Sequence, residues 1–239
     1  MTNDLAHPSQ DGVDLGAYLA PTSFLDADHA SVRSLAAGAK GGPRQRAVHL
    51  YYAVRDGLRY DPYSITLEPD AYRASSVIQR GGGYCVAKAV TFAAAARAAG
   101  IPARLGFADV RNHLATKRLL DLMGTDVFRY HGYAELWIEG RWVKATPTFN
   151  LALCQRFRVR PLDFDGRADA IFHPFDADNR RHMEYLKDHG AFADLPFDEL
   201  AREMKIAYPK IFGGAGPVGG DFAAEAEREA ATPTPEKFS

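Results

Sequence analysis

The stretch Arg80-Gly81-Gly82-Gly83-Tyr84-Cys85-Val86-Ala87-Lys88-Ala89-Val90 sets a cysteine where a glycine-rich turn becomes a helix. Further on, Tyr130-His131-Gly132-Tyr133-Ala134-Glu135-Leu136-Trp137 places a histidine at the head of a strand. A cysteine at a helix N-terminus meets the positive end of the helix dipole, which favours thiolate over thiol. A histidine beside it would hold that thiolate as an ion pair and shuttle protons. A lone cysteine in a helix is more often a small buried hydrophobe than a nucleophile. The glycine run before Cys85 and the strand-borne His131 shift the balance, and the chain reads first as a cysteine-nucleophile enzyme.

The pattern around these two residues extends in both directions. The helix from Cys85 is alanine-rich, Gly100 suits its C′ position, and Ile101-Pro102 stops it. Ala103 to Phe107 alternates as a half-buried strand does. Tyr130–Ile138 and Arg141–Thr148 flank Glu139-Gly140, a two-residue hairpin turn. That register predicts Trp137 opposite Trp142, Glu135 opposite Lys144 as a cross-strand charge pair, and Tyr133 opposite Thr146. Upstream, Asp28 to Ala37 and a segment opening at Pro43 read as helices, the second with an apolar stripe through Val48, Tyr51, Tyr52 and Val54. Downstream, Pro161 to Phe175 reads as a loop, and Asn179 to Asp188 and Glu199 to Ala207 as helices.

These blocks occur in a telling order. A Gly-x-Cys, an alanine-rich helix ending in Arg97-Ala-Ala-Gly-Ile-Pro-Ala-Arg104, a His-x-Tyr-x-Glu strand and Trp142-Val-x-x-x-Pro-Thr148 together resemble the transglutaminase-like superfamily. The resemblance covers roughly residues 45 to 150 and is most specific from Gly82 to Thr148. It implies an α+β, papain-like core in which a helix carrying the nucleophile packs on an antiparallel sheet. It also implies acyl transfer on amide bonds through a Cys85 thioester, without a cofactor. One position departs from the family, whose members usually carry Asp where this chain has Thr146. Thr146 sits on His131's face in the hairpin register, where a hydroxyl can accept a hydrogen bond but brings no charge. Asn150 shares that strand parity and would give a Cys-His-Asn set, an arrangement known on the papain-like plan. Asp163 and Asp165, in the following loop, are further candidates. Cys85, His131 and Thr146 are thus the expected catalytic residues, with Asn150 the alternative third member. Gln79, six positions before Cys85, stands at the offset of the papain-like oxyanion glutamine, although a surface-helix glutamine is the simpler account.

Composition narrows the partners. The chain has 239 residues, 46% hydrophobic and 25% charged, with a formal net charge of −1. Nothing in that balance favours nucleic acid, and no apolar stretch approaches the roughly 20 residues of a spanning helix. No charged-then-apolar signal heads the sequence. Two cysteines, Cys85 and Cys154, are expected as free thiols in a reducing cytoplasm, Cys154 as a structural one. His173, His182 and His189 lack metal-ligand spacing, so no metal is expected. His113, after the Phe107 strand, is placed to line the cleft, but a solvent-facing loop histidine is the commoner case. The expected organisation is an arm over 1–25, a transglutaminase-like domain over 26–212 with an extension from 151, and a flexible tail over 213–239. Its substrate would be a protein or peptide amide, hydrolysed rather than crosslinked; the sequence leaves the oligomeric state open. The alternative is a non-catalytic binding or scaffold protein that keeps the fold.

Overall fold

The computed structural model describes residues 14–112, 115–157, 159–171, 183–213 and 219–231. The helix opening at the cysteine is the centre of the molecule. This helix, α4 (Cys85–Ala98), is buried on every side from Cys85 to Arg97. Alanine provides both its helix propensity and its slim radius, so that elements can approach it from all round. Among the described residues three α-helices precede it: α1 (Ala30–Ala37), α2 (Pro43–Gly57) and α3 (Ala74–Arg80). All three pack on α4.

The opposite side of α4 lies on a four-stranded antiparallel sheet in the order β5-β4-β3-β6. Its strands are β3 (Ala103–Asn112), β4 (Val127–Ile138), β5 (Arg141–Ala145) and β6 (Met183–Phe192). A smaller parallel pair, β1 (Arg59–Tyr60) and β2 (Gly82–Gly83), joins the end of α2 to the start of α4. The glycine run exists for this junction. Gly81 ends α3 in the left-handed region at φ 73°. A Cβ on Gly82 would lie 2.5 Å from the Arg59 carbonyl oxygen, and one on Gly83 would lie 2.7 Å from the Ala87 Cβ.

The hairpin forms in the predicted register, with Trp137 opposite Trp142 and Glu135 opposite Lys144. The two tryptophan rings meet edge to face, with centroids 5.4 Å apart. Glu135 is held more closely by Arg104 (2.6 Å) than by Lys144 (3.7 Å). The ladder stops at Ala134–Ala145, one step short of Thr146, whose N–H turns to the Ala170 carbonyl instead (2.8 Å).

Beyond the hairpin come α6 (Leu151–Phe157), then β6, α7 (Phe197–Ala207), α8 (Pro209–Phe212) and α9 (Phe222–Ala231); α5 (Lys117–Met123) lies between β3 and β4. Two expectations are corrected here. Residues 183–188, expected to be helical, belong to the edge strand β6, paired with β3 from Asn112–Met183 to Leu105–Phe192. Within the expected flexible tail, α9 is docked. Phe222 packs against the rings of Tyr60 and Phe157, and Glu225 takes Arg118 at 2.7 Å. Of the expected loop 161–175, residues 161–169 are irregular, Ala170 bridges to Ala145, and Phe172–Phe175 lie outside the described residues.

The described part of the N-terminal arm is tied down by Arg97. Its buried guanidinium donates to the carbonyls of Ala20 (2.6 Å), Ala103 (2.8 Å) and Ala193. One side chain on α4 therefore fastens the arm, the sheet and the approach to α7.

Helix and sheet approach closely at Gly132, where a Cβ would stand 2.9 Å from the Val86 Cα. Gly132→Ala should therefore push the first turn of α4 away from β4 and cost about 1–3 kcal/mol, the range for overpacking a core. Urea denaturation of the variant checks this; an unchanged midpoint would mean that the contact relaxes freely.

Candidate active site

Cys85 is the first residue of α4, with Tyr84 as its N-cap. The nearby backbone N–H groups of Gly132, Val86 and Cys85 itself favour negative charge on the sulfur. Gly132 immediately follows His131, so the fold brings the nucleophile candidate against the strand that carries the histidine candidate.

The electrostatics depart from expectation. Burial pushes the Cys85 thiol up to about 11, against which the three N–H groups pull only part of the way back. The helix N-terminus alone would favour thiolate, but here the sulfur faces a mainly apolar cavity, where losing water costs a charge more than partial dipoles return. Burial likewise pushes His131 down to about 3. In this closed form the site holds a thiol and a neutral imidazole, not the expected ion pair.

His131 lies opposite Ala108 on β3 and is 3% exposed. Alternation along β4 puts Gly132, Ala134 and Leu136 toward α4 and Tyr133 in a second cluster with Ala108, Val110 and Met183. The pleat is broken just before His131. Tyr130 is left-handed at φ 51°, and the β3–β4 register shifts between Ala108 and Val110.

The third-member candidates separate clearly. Thr146 is buried, its carbonyl accepts a bond from the Tyr51 hydroxyl (3.3 Å), and its Oγ1 has no hydrogen-bond partner among the described residues. Asn150 is fully committed elsewhere. Its Oδ1 accepts from the Tyr60 N–H (2.7 Å) and its Nδ2 donates to the carbonyls of Arg55 (2.5 Å) and Leu58 (2.7 Å). Lys88 Nζ donates to the same two carbonyls, at 2.8 and 2.7 Å. Asn150 and Lys88 thus close the end of α2 onto β1, which leaves Asn150 no amide hydrogen for an imidazole. Asp163 lies beside α2, near Arg55 (3.5 Å), and Asp165 accepts the N–H groups of Arg167 and Ala168 in its own loop.

Gln79 is exposed on α3, whereas Cys85 is buried, so the surface-helix account describes it. The donors nearest the sulfur are backbone groups. Cys154 is a buried free thiol, as is Cys85. His113, His173 and His182 lie outside the described residues. Among the described residues no three metal-ligating groups cluster.

Two features of the site escaped sequence reasoning. One is the cover over Cys85, formed by Met204, Tyr208 and Ile211 of the α7–α8 segment. The Tyr208 hydroxyl accepts the Arg129 N–H (2.6 Å) and donates to the Val127 carbonyl (3.1 Å), fixing the cover to β4. The other is Asp109, 1% exposed. It accepts from the Tyr130 N–H (3.1 Å) and binds Arg129 (2.5 Å) and the His189 ring (2.7 Å). These partners hold its carboxyl below the usual range despite burial. The spacing of 109, 129 and 189 carries no local signal, because only sheet pairing unites them.

Comparison with known proteins agrees with this architecture. Residues 31–147 match the transglutaminase-like superfamily. This part of the chain is a transglutaminase-like domain. Among solved structures, one titled "Putative Cysteine Protease from Cytophaga hutchinsonii" is similar at 17% identity and a TM-score of 0.44. The match covers 75% of this chain and 54% of that one, so the chain spans about half the length of that protein. No curated protein matches. Among the described residues no helix is long and apolar enough to cross a membrane.

Two outcomes follow from these contacts. Asn150→Ala orphans the Tyr60 N–H and leaves Lys88 as the remaining side-chain partner of the two carbonyls, and should cost about 1–3 kcal/mol in urea unfolding while leaving the His131 titration unmoved. For His131, the folded state favours the neutral ring. Its contribution is present above the ordinary value of 6.5 and is lost as pH falls toward 3. Wild type should therefore lose more stability than His131→Gln between those limits, by at most about 5 kcal/mol. Parallel losses would show that the ring is hydrated.

Proposed function

We propose that this transglutaminase-like domain is a cysteine-dependent amide hydrolase. The observation that carries the reading is the close approach of α4 to β4 at Gly132, which sets a helix-start thiol against the His131 strand. Cys85 attacks the amide carbonyl, and His131, already neutral and so in its base form, takes the thiol proton. The same proton then passes to the departing amine, leaving a thioester that water hydrolyses. The N–H groups of Cys85 and Gly132 are the nearest preorganised donors for the developing oxyanion. Thr146 Oγ1, buried and unengaged by the described residues, is the group for orienting the imidazole. Water is favoured over an amine as acyl acceptor because the space at Cys85 is narrow, covered and mainly apolar. Two unpaired cysteines fit a reducing, cytoplasmic setting.

The second reading is a binding protein that retains the fold. It draws on the same burial, since neither thiolate nor imidazolium is favoured in the closed form, and on the hydroxyl at position 146. Turnover separates the two. Peptide amides offered with and without a primary amine should be cleaved to free acid in both cases, with no turnover by Cys85→Ser. His131→Ala should fall about 100-fold or more. Wild type that binds such peptides without releasing amine would favour the binding protein. Amine incorporation exceeding acid formation would make the enzyme a transferase.

A further inference from the structure

We infer that the acyl group carried by Cys85 bears an aliphatic side chain seated in the cavity beside the sulfur, and not the carboxamide-bearing arm of a glutamine. This rests on the proposed function and names its substrate class. A small cavity of about 40 Å³ lies between Ile65, α5 and the α7–α8 cover, with Cys85 in its wall. Its lining is dominated by Ile65, Leu119, Met123, Phe128, Met204 and Ile211.

The polar groups in that lining are already engaged. The Tyr84 hydroxyl donates to the Tyr72 hydroxyl (2.9 Å). The Tyr208 hydroxyl both accepts from Arg129 and donates to Val127. The Arg129 guanidinium is neutralised by Asp109, whose other oxygen serves Tyr130 and His189. A carboxamide entering this space would give up water and break one of these bonds to regain a partner. An anionic side chain would have to compete with Asp109 for Arg129. An aliphatic chain needs no partner and gains from leaving water. Met123 and Met204 add side chains that adjust to its shape.

The test is a series of N-acetyl aminoacyl vinyl sulfones, identical except for a leucine, alanine or glutamine side chain next to the electrophile. The measured quantity is the second-order rate of modification at Cys85, located by mass spectrometry. The leucine probe should react at least about 10-fold faster than the alanine and glutamine probes, the scale on which an apolar pocket discriminates. Ile65→Asn, a change in a half-buried residue of that lining, should bring the ratio of leucine-probe to alanine-probe rates down to about one. Because a larger substitution could disturb folding, Met123→Leu serves as a second variant and should retain the preference for leucine. Reaction that depends on His131 but is as fast or faster with glutamine overturns the pocket assignment and leaves the chemistry standing. No reaction at Cys85 with any probe, or rates indifferent to His131→Ala, overturns the hydrolase reading and the pocket with it.

Discussion

The structure depends on how closely one helix approaches one strand. α4 can meet β4 at Gly132 because residue 132 has no side chain, and it can be surrounded elsewhere because half of its own side chains are methyl groups. That approach brings the Gly132 N–H near Cys85, buries the first turn of α4 and lets α1, α2 and α3 pack around it. A bulkier helix would move the sulfur outward and weaken the contact that defines the site. The alanine content is therefore a geometric requirement of the site as much as a helix preference.

The same closeness works against ionisation. A helix N-terminus and three N–H groups favour a thiolate, but each contributes a partial charge, whereas desolvation acts on the whole charge of the sulfur. The outcome in the closed form is a high thiol and a low imidazole. General-base attack by a neutral pair needs no standing ion pair, so this balance is compatible with turnover. It does make the site's charge state depend on how much water or substrate dipole reaches it. Thr146 fits that regime, because a hydroxyl can orient a neutral ring without demanding that it be charged.

Local features of the sequence proved readable and distant ones did not. The hairpin announced itself because a tight turn fixes register over a few residues, and α4 because a glycine run, an alanine helix and Ile101-Pro102 bound it. β6 was misread because it is an edge strand, mostly exposed, whose run Glu184-Tyr185-Leu186-Lys187-Asp188 lacks the alternation that one buried face would impose. α9 was missed because its docking rests largely on one aromatic residue, Phe222, in a segment otherwise rich in alanine and glutamate. At the site, Cys85 and His131 were nameable from motif alone. That Asn150 belongs to the clamp on α2 was not, since its partners lie some ninety residues away in the chain. Cys85's charge state was misjudged for a related reason: the groups that desolvate it come from α5, α7 and α8, which sequence reasoning had not placed over it.

The cover and the nucleophile also share a support. Val127, Arg129 and Tyr130 of β4 hold α7 and its C-terminal residue through Tyr208 and Glu199, the latter at 2.5 Å from the Tyr130 hydroxyl. His131 and Gly132 follow directly on the same strand. Between the two groups stands the left-handed Tyr130, a conformation costly for a bulky side chain unless its surroundings impose it. Asp109 on its N–H, Glu199 on its hydroxyl and His189 stacked on its ring are the groups that impose it. The kink redirects β4 just before the residues that meet Cys85, and one of its three restraints comes from α7 itself. Through Tyr130, α7 is thus tied to the backbone that carries His131 and Gly132.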